Sequence, residues 1–363
     1  MPTIRLSGTI LGDNDPARGV RAELLYLLFK GGWDIYNSNG DQLITLSNIE
    51  KKIIESDAFL FTPKPGIEDM FKAISIFVGY QTLDQHLAGK PTVLLNEDDS
   101  WNDLLGVLHH LGAMGTVRQK PEEFLLLADS AQAALEQVAY GRARTPPDAG
   151  REPLERPIKA RSFDTPIPDA FKGSVCVFCS ATLEEPTYLD DGRELGRLLA
   201  ENGFGCISGA GSSGIMGAVV EGSVAAGGWA AGSNVPHIIE LEGLPEGLSS
   251  FWLRDDIYTR MEVMIAQSDA FVILPGGAGT VQELLALLIF KSHGDLLMKD
   301  KPIFIFNRAL PEGGGFWDPL VRLLQDLCPE HPPVVSTELS LLLDELNQAI
   351  PERVDRLSLA PQI

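Results

Sequence analysis

Two stretches of this chain read almost alike. Ser56-Asp57-Ala58-Phe59-Leu60-Phe61-Thr62-Pro63 and Ser268-Asp269-Ala270-Phe271-Val272-Ile273-Leu274-Pro275 both open on Ser-Asp-Ala-Phe and close on Pro, 212 positions apart (268 − 56). Further on, Lys90-Pro91-Thr92-Val93-Leu94-Leu95-Asn96 matches Lys301-Pro302-Ile303-Phe304-Ile305-Phe306-Asn307, and Trp101-Asn102-Asp103 matches Trp317-Asp318-Pro319. A period this long excludes a solenoid and describes an internal duplication into two homologous domains. Apolar runs of strand length alternate with segments of helical period, the pattern of a parallel sheet covered by helices on both faces. The expected fold is α/β: two tandem Rossmann-like, doubly wound domains with parallel sheets. The expected division is residues 1–140, a Pro- and Arg-rich linker at 141–170, and residues 171–363.

In the first copy, strands are expected at Thr3–Leu11, Trp33–Tyr36 and Ala58–Thr62, and helices at Ala17–Lys30 and Ile49–Ser56. Gly31-Gly32 ends the first of these helices. In the second copy, strands are expected at Ser174–Cys179, Cys206–Ser208, Ala230–Pro236 and Ala270–Leu274, with a helix at Tyr188–Asn202 and a loop at Gly243–Ser250. Each copy is expected to close on an apolar-periodic helix, Glu122–Val138 and Glu338–Ile350. The stretch from Gly141 to Pro168 is dense in proline and charge without an apolar period, and reads as a linker or an extended crossing strap.

With 363 residues, 44% of them hydrophobic, the chain has enough apolar material for two cores. A net charge of −21 makes nucleic acid an unsuitable partner, whereas a small phosphorylated ligand needs only local N–H groups and one or two cations. Cys176 and Cys179 form a C-x-x-C without a second ligand pair at zinc spacing, and residues three apart on a strand face opposite ways. No metal and no cofactor are expected, and the thiols read as buried and reduced. Neither an apolar leader nor a membrane-length apolar run is present, so the expected setting is cytoplasmic, without membrane association.

The segment with most chemical content is Leu274-Pro275-Gly276-Gly277-Ala278-Gly279-Thr280-Val281-Gln282-Glu283. It joins a buried strand to a leucine-rich helix. Such a turn gathers backbone N–H groups at a helix N-terminus, where partial positive charge holds a phosphate. Glycine lets the anion approach, and Thr280 adds a hydroxyl. A second Gly-rich turn, Gly209-Ala210-Gly211-Ser212-Ser213-Gly214, also follows a strand and opens a helix. At the offset of 212, Gly276 and Gly277 face Lys64 and Pro65, Thr280 faces Glu68, Glu283 faces Phe71, and Arg260 faces Asn48. The first copy has lost its anion loop and is expected to be catalytically silent.

The run from Pro275 to Glu283 resembles Pro-Gly-Gly-x-Gly-Thr-x-x-Glu, the signature of the LONELY GUY family of nucleoside 5′-monophosphate phosphoribohydrolases, whose members are often mislabelled lysine decarboxylases. The block from Asp256 to Met264, which contains Arg260 ahead of Met261 and Met264, is similar to a second block of that family. The resemblance implies hydrolysis of the N-glycosidic bond of a nucleoside 5′-monophosphate to free base and ribose 5-phosphate. It implies Glu283 and Arg260 as catalytic residues, with Glu283 on the first turn of its helix. It implies a phosphate and nucleotide site at Gly276, Gly277, Ala278, Gly279, Thr280, Gly209, Gly211 and Ser180. Met261 stands where the family has a lysine and Ile289 where it has a threonine. Family members commonly dimerise, so the duplication implies an intrachain pseudo-dimer, with a homodimer of the whole chain also open. A nucleotide-binding sensor or carrier on the same fold is the alternative to an enzyme.

Overall fold

The computed structural model describes residues 2–7, 16–37, 46, 53–82, 87, 89–117, 119–143, 160–296 and 298–350. The chain divides into two compact units, residues 1–155 with 322–327, and residues 156–321 with 328–363. The first unit runs β1 (Thr3–Ser7), α1 (Pro16–Lys30), β2 (Asp34–Asn37), β3 (Ala58–Phe61), α2 (Ile67–Gln81), β4 (Thr92–Leu95), α3 (Asn102–Ala113), β5 (Leu125–Ala128) and α4 (Ala131–Ala143). Its five-stranded sheet has the order β2-β1-β3-β4-β5, with every pairing parallel.

The second sheet is built from β6 (Gly173–Phe178), β7 (Phe204–Ser208), β8 (Ala230–Asn234), β9 (Ser250–Leu253), β10 (Ala270–Ile273), β11 (Ile303–Phe306) and β12 (Val334–Ser336). The helices that follow in the chain are α5 (Pro186–Glu201), α6 (Gly214–Ala225), α7 (Pro236–Glu242), α8 (Ile257–Gln267), α9 (Ala278–Ser292), α10 (Asp318–Leu327, whose residues 322–327 are counted with the first unit) and α11 (Leu339–Ala349). The order is β12-β11-β10-β6-β7-β8-β9, again all parallel. Central strands of such a sheet are covered on both faces, which is why Val175–Phe178 and Ala270–Ile273 are continuous apolar runs buried throughout. Among the described residues, no helix is long and apolar enough to cross a membrane.

The two sheets share one connectivity. The order β2-β1-β3-β4-β5 is that of β7-β6-β10-β11-β12, and the second unit adds β8 and β9 beyond β7. The residues repeated in sequence make repeated bonds. Asp57 Oδ2 accepts the Thr3 N–H (2.7 Å), and Asp269 Oδ2 accepts the Ser174 N–H (2.9 Å). Lys90 Nζ donates to the carbonyls of Ile53 and Ile54, as Lys301 Nζ donates to that of Ile265. Asn96 accepts the Trp101 N–H and donates to Asn102, and Asn307 accepts the Trp317 N–H and donates to Asp318. Both indoles are fully buried.

Strand order in the second sheet sets where a ligand fits. From β6 the chain runs one way through β7, β8 and β9, then returns to the other side of β6 at β10. Loops that leave β6 and β10 in opposite directions open a crevice at the carboxyl edge. The Ser180 N–H donates to the Pro275 carbonyl (3.0 Å) and ties those two loops together.

Several expectations need correction. Glu122–Val138 is not one helix: it contains β5 and the start of α4. The leucine run there fits either period, and Ser130, whose Oγ accepts the Ala133 N–H, sets the helix start. The four-residue β9 and the seven-residue α7 were not expected; each is too short to show a period. Of the segment expected as a helix at 49–56, residues 53–55 are helical and 49–52 lie outside the described residues. So do 144–159 of the linker, but 160–168 is no free tether. Phe163 pairs antiparallel with Phe251 of the edge strand, and the Thr165 carbonyl accepts from Trp229 Nε1 (2.8 Å). A covered edge does not recruit another strand.

Replacing Asn307 by Ala removes both bonds that hold Trp317 and Asp318, so a loss of about 1–3 kcal/mol is expected in urea unfolding followed by tryptophan fluorescence.

Candidate active site

The carboxyl edge of the second sheet gathers three charged side chains from three helices, two of them, Arg260 and Glu283, buried. Arg260 enters from α8, whose N-terminus is capped by Asp256: its Oδ1 accepts the Thr259 N–H at 2.7 Å. The guanidinium is committed in three directions. Nε donates to the Ser233 carbonyl at the end of β8 (2.9 Å), Nη2 to the Gly209 carbonyl after β7 (3.4 Å), and Nη1 lies 3.8 Å from Glu283 Oε1. Both partners of the ion pair are buried.

Glu283 is the sixth residue of α9, in its second turn rather than the first as expected, because the helix begins at Ala278 immediately after the glycine pair. Side chains on a helix lean toward its N-terminus, so a second-turn carboxylate still addresses the first-turn N–H groups. Gly279, four residues earlier, shares its face, and a Cβ there would meet nothing within 4 Å. Burial pushes the Glu283 carboxyl up to about 7, with Arg260 pulling against the shift and Glu242 adding to it.

The first turn of α9 has no side-chain cap. Its N–H groups, those of Ala278, Gly279 and Thr280, have no partner within the helix and lie where the macrodipole is positive. Gly276 has a different task from direct contact. A Cβ there would lie 2.2 Å from Thr280 Oγ1, so the glycine makes room for the threonine, which is folded back onto the turn and buried. Ser180 is likewise occupied, since its Oγ accepts the N–H groups of Thr182 and Leu183, both at 3.0 Å. The same oxygen lies 3.1 Å from Thr182 Oγ1.

The turn at 209–211 is built around side chains. A Cβ on Gly209 would lie 2.0 Å from Arg260 Nη2, and one on Gly211 would lie 2.5 Å from Glu242 Oε2. Between them Ala210 takes the left-handed conformation, φ 56°. Both glycines therefore clear space for ions of the protein itself. Glu242, the last residue of α7, belongs to no sequence motif, and its burial raises its carboxyl pKa.

Met261 and Ile289, which replace the lysine and threonine of the family, are both buried. Cys176 on β6 and Cys179 just beyond it are buried free thiols, pushed well up by burial and by the nearby Glu283 carboxylate, and so poor nucleophiles.

The sequence profile of the family described as "Possible lysine decarboxylase" matches residues 216–349. That segment contains Arg260, Glu283 and the 276–280 turn, and leaves out Ser180, Gly209 and Gly211. A cytokinin riboside 5′-monophosphate phosphoribohydrolase of Mycobacterium tuberculosis is 32% identical over 134 residues, covering 37% of this chain and 70% of the relative. One of Arabidopsis thaliana is 28% identical over 204 residues, covering 52% and 92%. A rice (Oryza sativa subsp. japonica) protein named as a probable enzyme of this kind is 32% identical over 155 residues; the match takes in 42% of this chain and 65% of that relative's length. Among solved structures, the molybdenum cofactor carrier protein of Chlamydomonas reinhardtii is similar at 18% identity and a TM-score of 0.39, over 49% of this chain and 98% of its own.

Two predictions follow from the geometry. Gly209→Ala forces Arg260 or the turn to move and is expected to cost about 1–3 kcal/mol in thermal or urea unfolding. The raised Glu283 carboxyl means that the folded state holds its proton more tightly than the unfolded chain does. Its contribution to stability is present below pH 4.5 and is lost as pH rises toward about 7. Glu283→Gln is therefore expected to raise Tm at pH 8 and to change it little at pH 5, each kcal/mol being worth about 2–4 °C in a domain of this size.

With these motifs, this geometry and these relatives, the chain belongs to the LONELY GUY family of phosphoribohydrolases, through its second unit.

Proposed function

We propose that this chain hydrolyses the N-glycosidic bond of a nucleoside 5′-monophosphate, releasing the free base and ribose 5-phosphate. The observation that carries this reading is the buried Arg260–Glu283 pair, at 3.8 Å, one turn beyond an uncapped helix N-terminus. The first-turn N–H groups of α9 hold the phosphate, which fixes the ribose across the face of Gly279 and Glu283. The C1′–N bond breaks with its electrons passing to the base. Water's oxygen bonds to C1′, and one of its protons ends on the base. The positive charge that grows on the sugar is met by the ionised Glu283 carboxylate, which stabilises it or attacks C1′. Arg260, held from Ser233 and Gly209, fixes where that carboxylate points and keeps a share of it ionised at neutral pH.

Decarboxylation through a lysine Schiff base has no support. No lysine lies between Lys172 and Lys291. Lys291 sits on the last turn of α9, at the far end from the glycine turn, and donates to the Lys301 carbonyl.

We propose also that the first unit has no turnover of its own. At the place of the uncapped helix, α2 carries Glu68 and Asp69 in its first turn, and Asp69 Oδ2 accepts the Gly66 N–H (3.1 Å). The helix end thus carries negative charge of its own, which opposes a phosphate there. Phe71, at the repeat position of Glu283, is buried. Asn48, opposite Arg260 in the repeat, lies outside the described residues.

The test is release of ribose 5-phosphate from a panel of nucleoside 5′-monophosphates, with AMP and an N6-substituted AMP included. Glu283→Ala is expected to reduce turnover on the order of 10³-fold, while Glu283→Gln keeps ligand binding. No release from any member by folded protein would overturn the proposal in favour of a binding protein. Since the ionised carboxylate acts, kcat/KM is expected to rise with pH through about 7, where Glu283 loses its proton. Arg260→Gln removes the pull that opposes the shift, so the acidic limb should move to higher pH as the rate falls.

A further inference from the structure

Glu242 takes no part in the proposed chemistry, yet the second glycine turn is shaped around it. Gly211 leaves open the space in which Glu242 Oε2 sits, and any side chain there would collide with that oxygen. The backbone of Glu242 is clamped to the same turn: its carbonyl accepts the Ser212 N–H (3.1 Å) and the Ser212 hydroxyl (2.6 Å). Gly243, at φ 73°, lets the chain leave α7 around that hydroxyl. The carboxyl group interacts electrostatically with Arg260 and with Glu283. Its Oε2 is buried without a hydrogen-bond partner.

A carboxyl oxygen that is shielded from water and receives no donor from the protein is matched by a donor on a ligand. A phosphate carries only acceptor oxygens at neutral pH and is repelled by a carboxylate, so this oxygen does not face the phosphate. The remaining polar groups of a phosphoribosyl ligand are its ring hydroxyls, which are donors. A vicinal diol presents two O–H groups at a spacing that the two oxygens of one carboxylate accept together.

We infer that Glu242 is a specificity residue, which accepts hydrogen bonds from the ribose hydroxyls and selects ribose over 2-deoxyribose. The inference rests on the phosphoribosyl ligand of the proposed function, but not on turnover.

Calorimetric titration of the full chain with ribose 5-phosphate and with 2-deoxyribose 5-phosphate tests it without any chemistry. The unmodified protein is expected to bind the ribose compound about tenfold tighter or more, the value of one hydrogen bond to a charged group. Glu242→Ala should bring the two affinities within about twofold of each other. Glu242→Gln, close to isosteric, replaces one acceptor by a donor, so the preference should fall there too; this variant decides the matter if the alanine protein does not fold. A preference that persists in the folded variants would overturn the inference, as would its absence from the unmodified protein or failure of that protein to bind either sugar phosphate. Nucleotide hydrolysis without a ribose preference would sink this inference alone. A Glu242-dependent ribose preference without hydrolysis would sink the hydrolase alone.

Discussion

A buried guanidinium must be satisfied in every direction at once, and Arg260 organises the carboxyl edge of the second sheet for that reason. Two of its donors are spent on main-chain carbonyls at the ends of β7 and β8, and the third side faces Glu283. Charge buried this deeply is tolerated only when paired and hydrogen-bonded. The demand propagates outward. Gly209 has no side chain because Nη2 occupies its place, Ala210 turns left-handed, and Gly211 yields to Glu242. What resembles a phosphate loop in sequence is, at this turn, a socket for the protein's own ions. The turn at 276–280 keeps an uncapped helix end, the feature on which the proposed phosphate site rests.

The two units make the same point by contrast. The bonds that recur, through Asp57 and Asp269, Lys90 and Lys301, Asn96 and Asn307, hold strand ends and helix ends together. They serve the scaffold and survive whatever the carboxyl edge does. The differences gather at that edge. In the first unit Glu68 and Asp69 place negative charge in the first turn of α2, and a phenylalanine stands where the second has its glutamate. Strands β8 and β9 have no counterpart among the described residues of the first sheet; β8 brings in the Ser233 carbonyl and leads into α7 with Glu242, and β9 leads into α8 with Arg260.

Much of this was legible from sequence, and the reasons are physical. The repeated Ser-Asp-Ala-Phe blocks fixed the central strands because a strand buried on both faces must be apolar throughout. The Pro-Gly-Gly turn, Arg260 and Glu283 were legible as residues because charge and glycine beside a buried strand are expensive unless used. Their distances were not. A helix start one residue earlier or later moves Glu283 between turns, and only the fold brings Arg260 of α8 within 3.8 Å of Glu283 of α9. Glu242 was illegible because nothing local marks a carboxylate whose purpose lies across the sheet. The helix expected at 122–138 failed because consecutive leucines satisfy either period, and only the turn at Asp129-Ser130 separates strand from helix.

The account stands or falls on which bond is broken at the Arg260–Glu283 pair. The direct measurement is incubation of the full chain with AMP in ¹⁸O-labelled water, followed by mass spectrometry of every product. The account predicts unlabelled adenine, no inorganic phosphate, and label in the ribose 5-phosphate beyond what the sugar phosphate alone exchanges with that water. Labelled inorganic phosphate, or AMP returned intact by the folded protein, would contradict it.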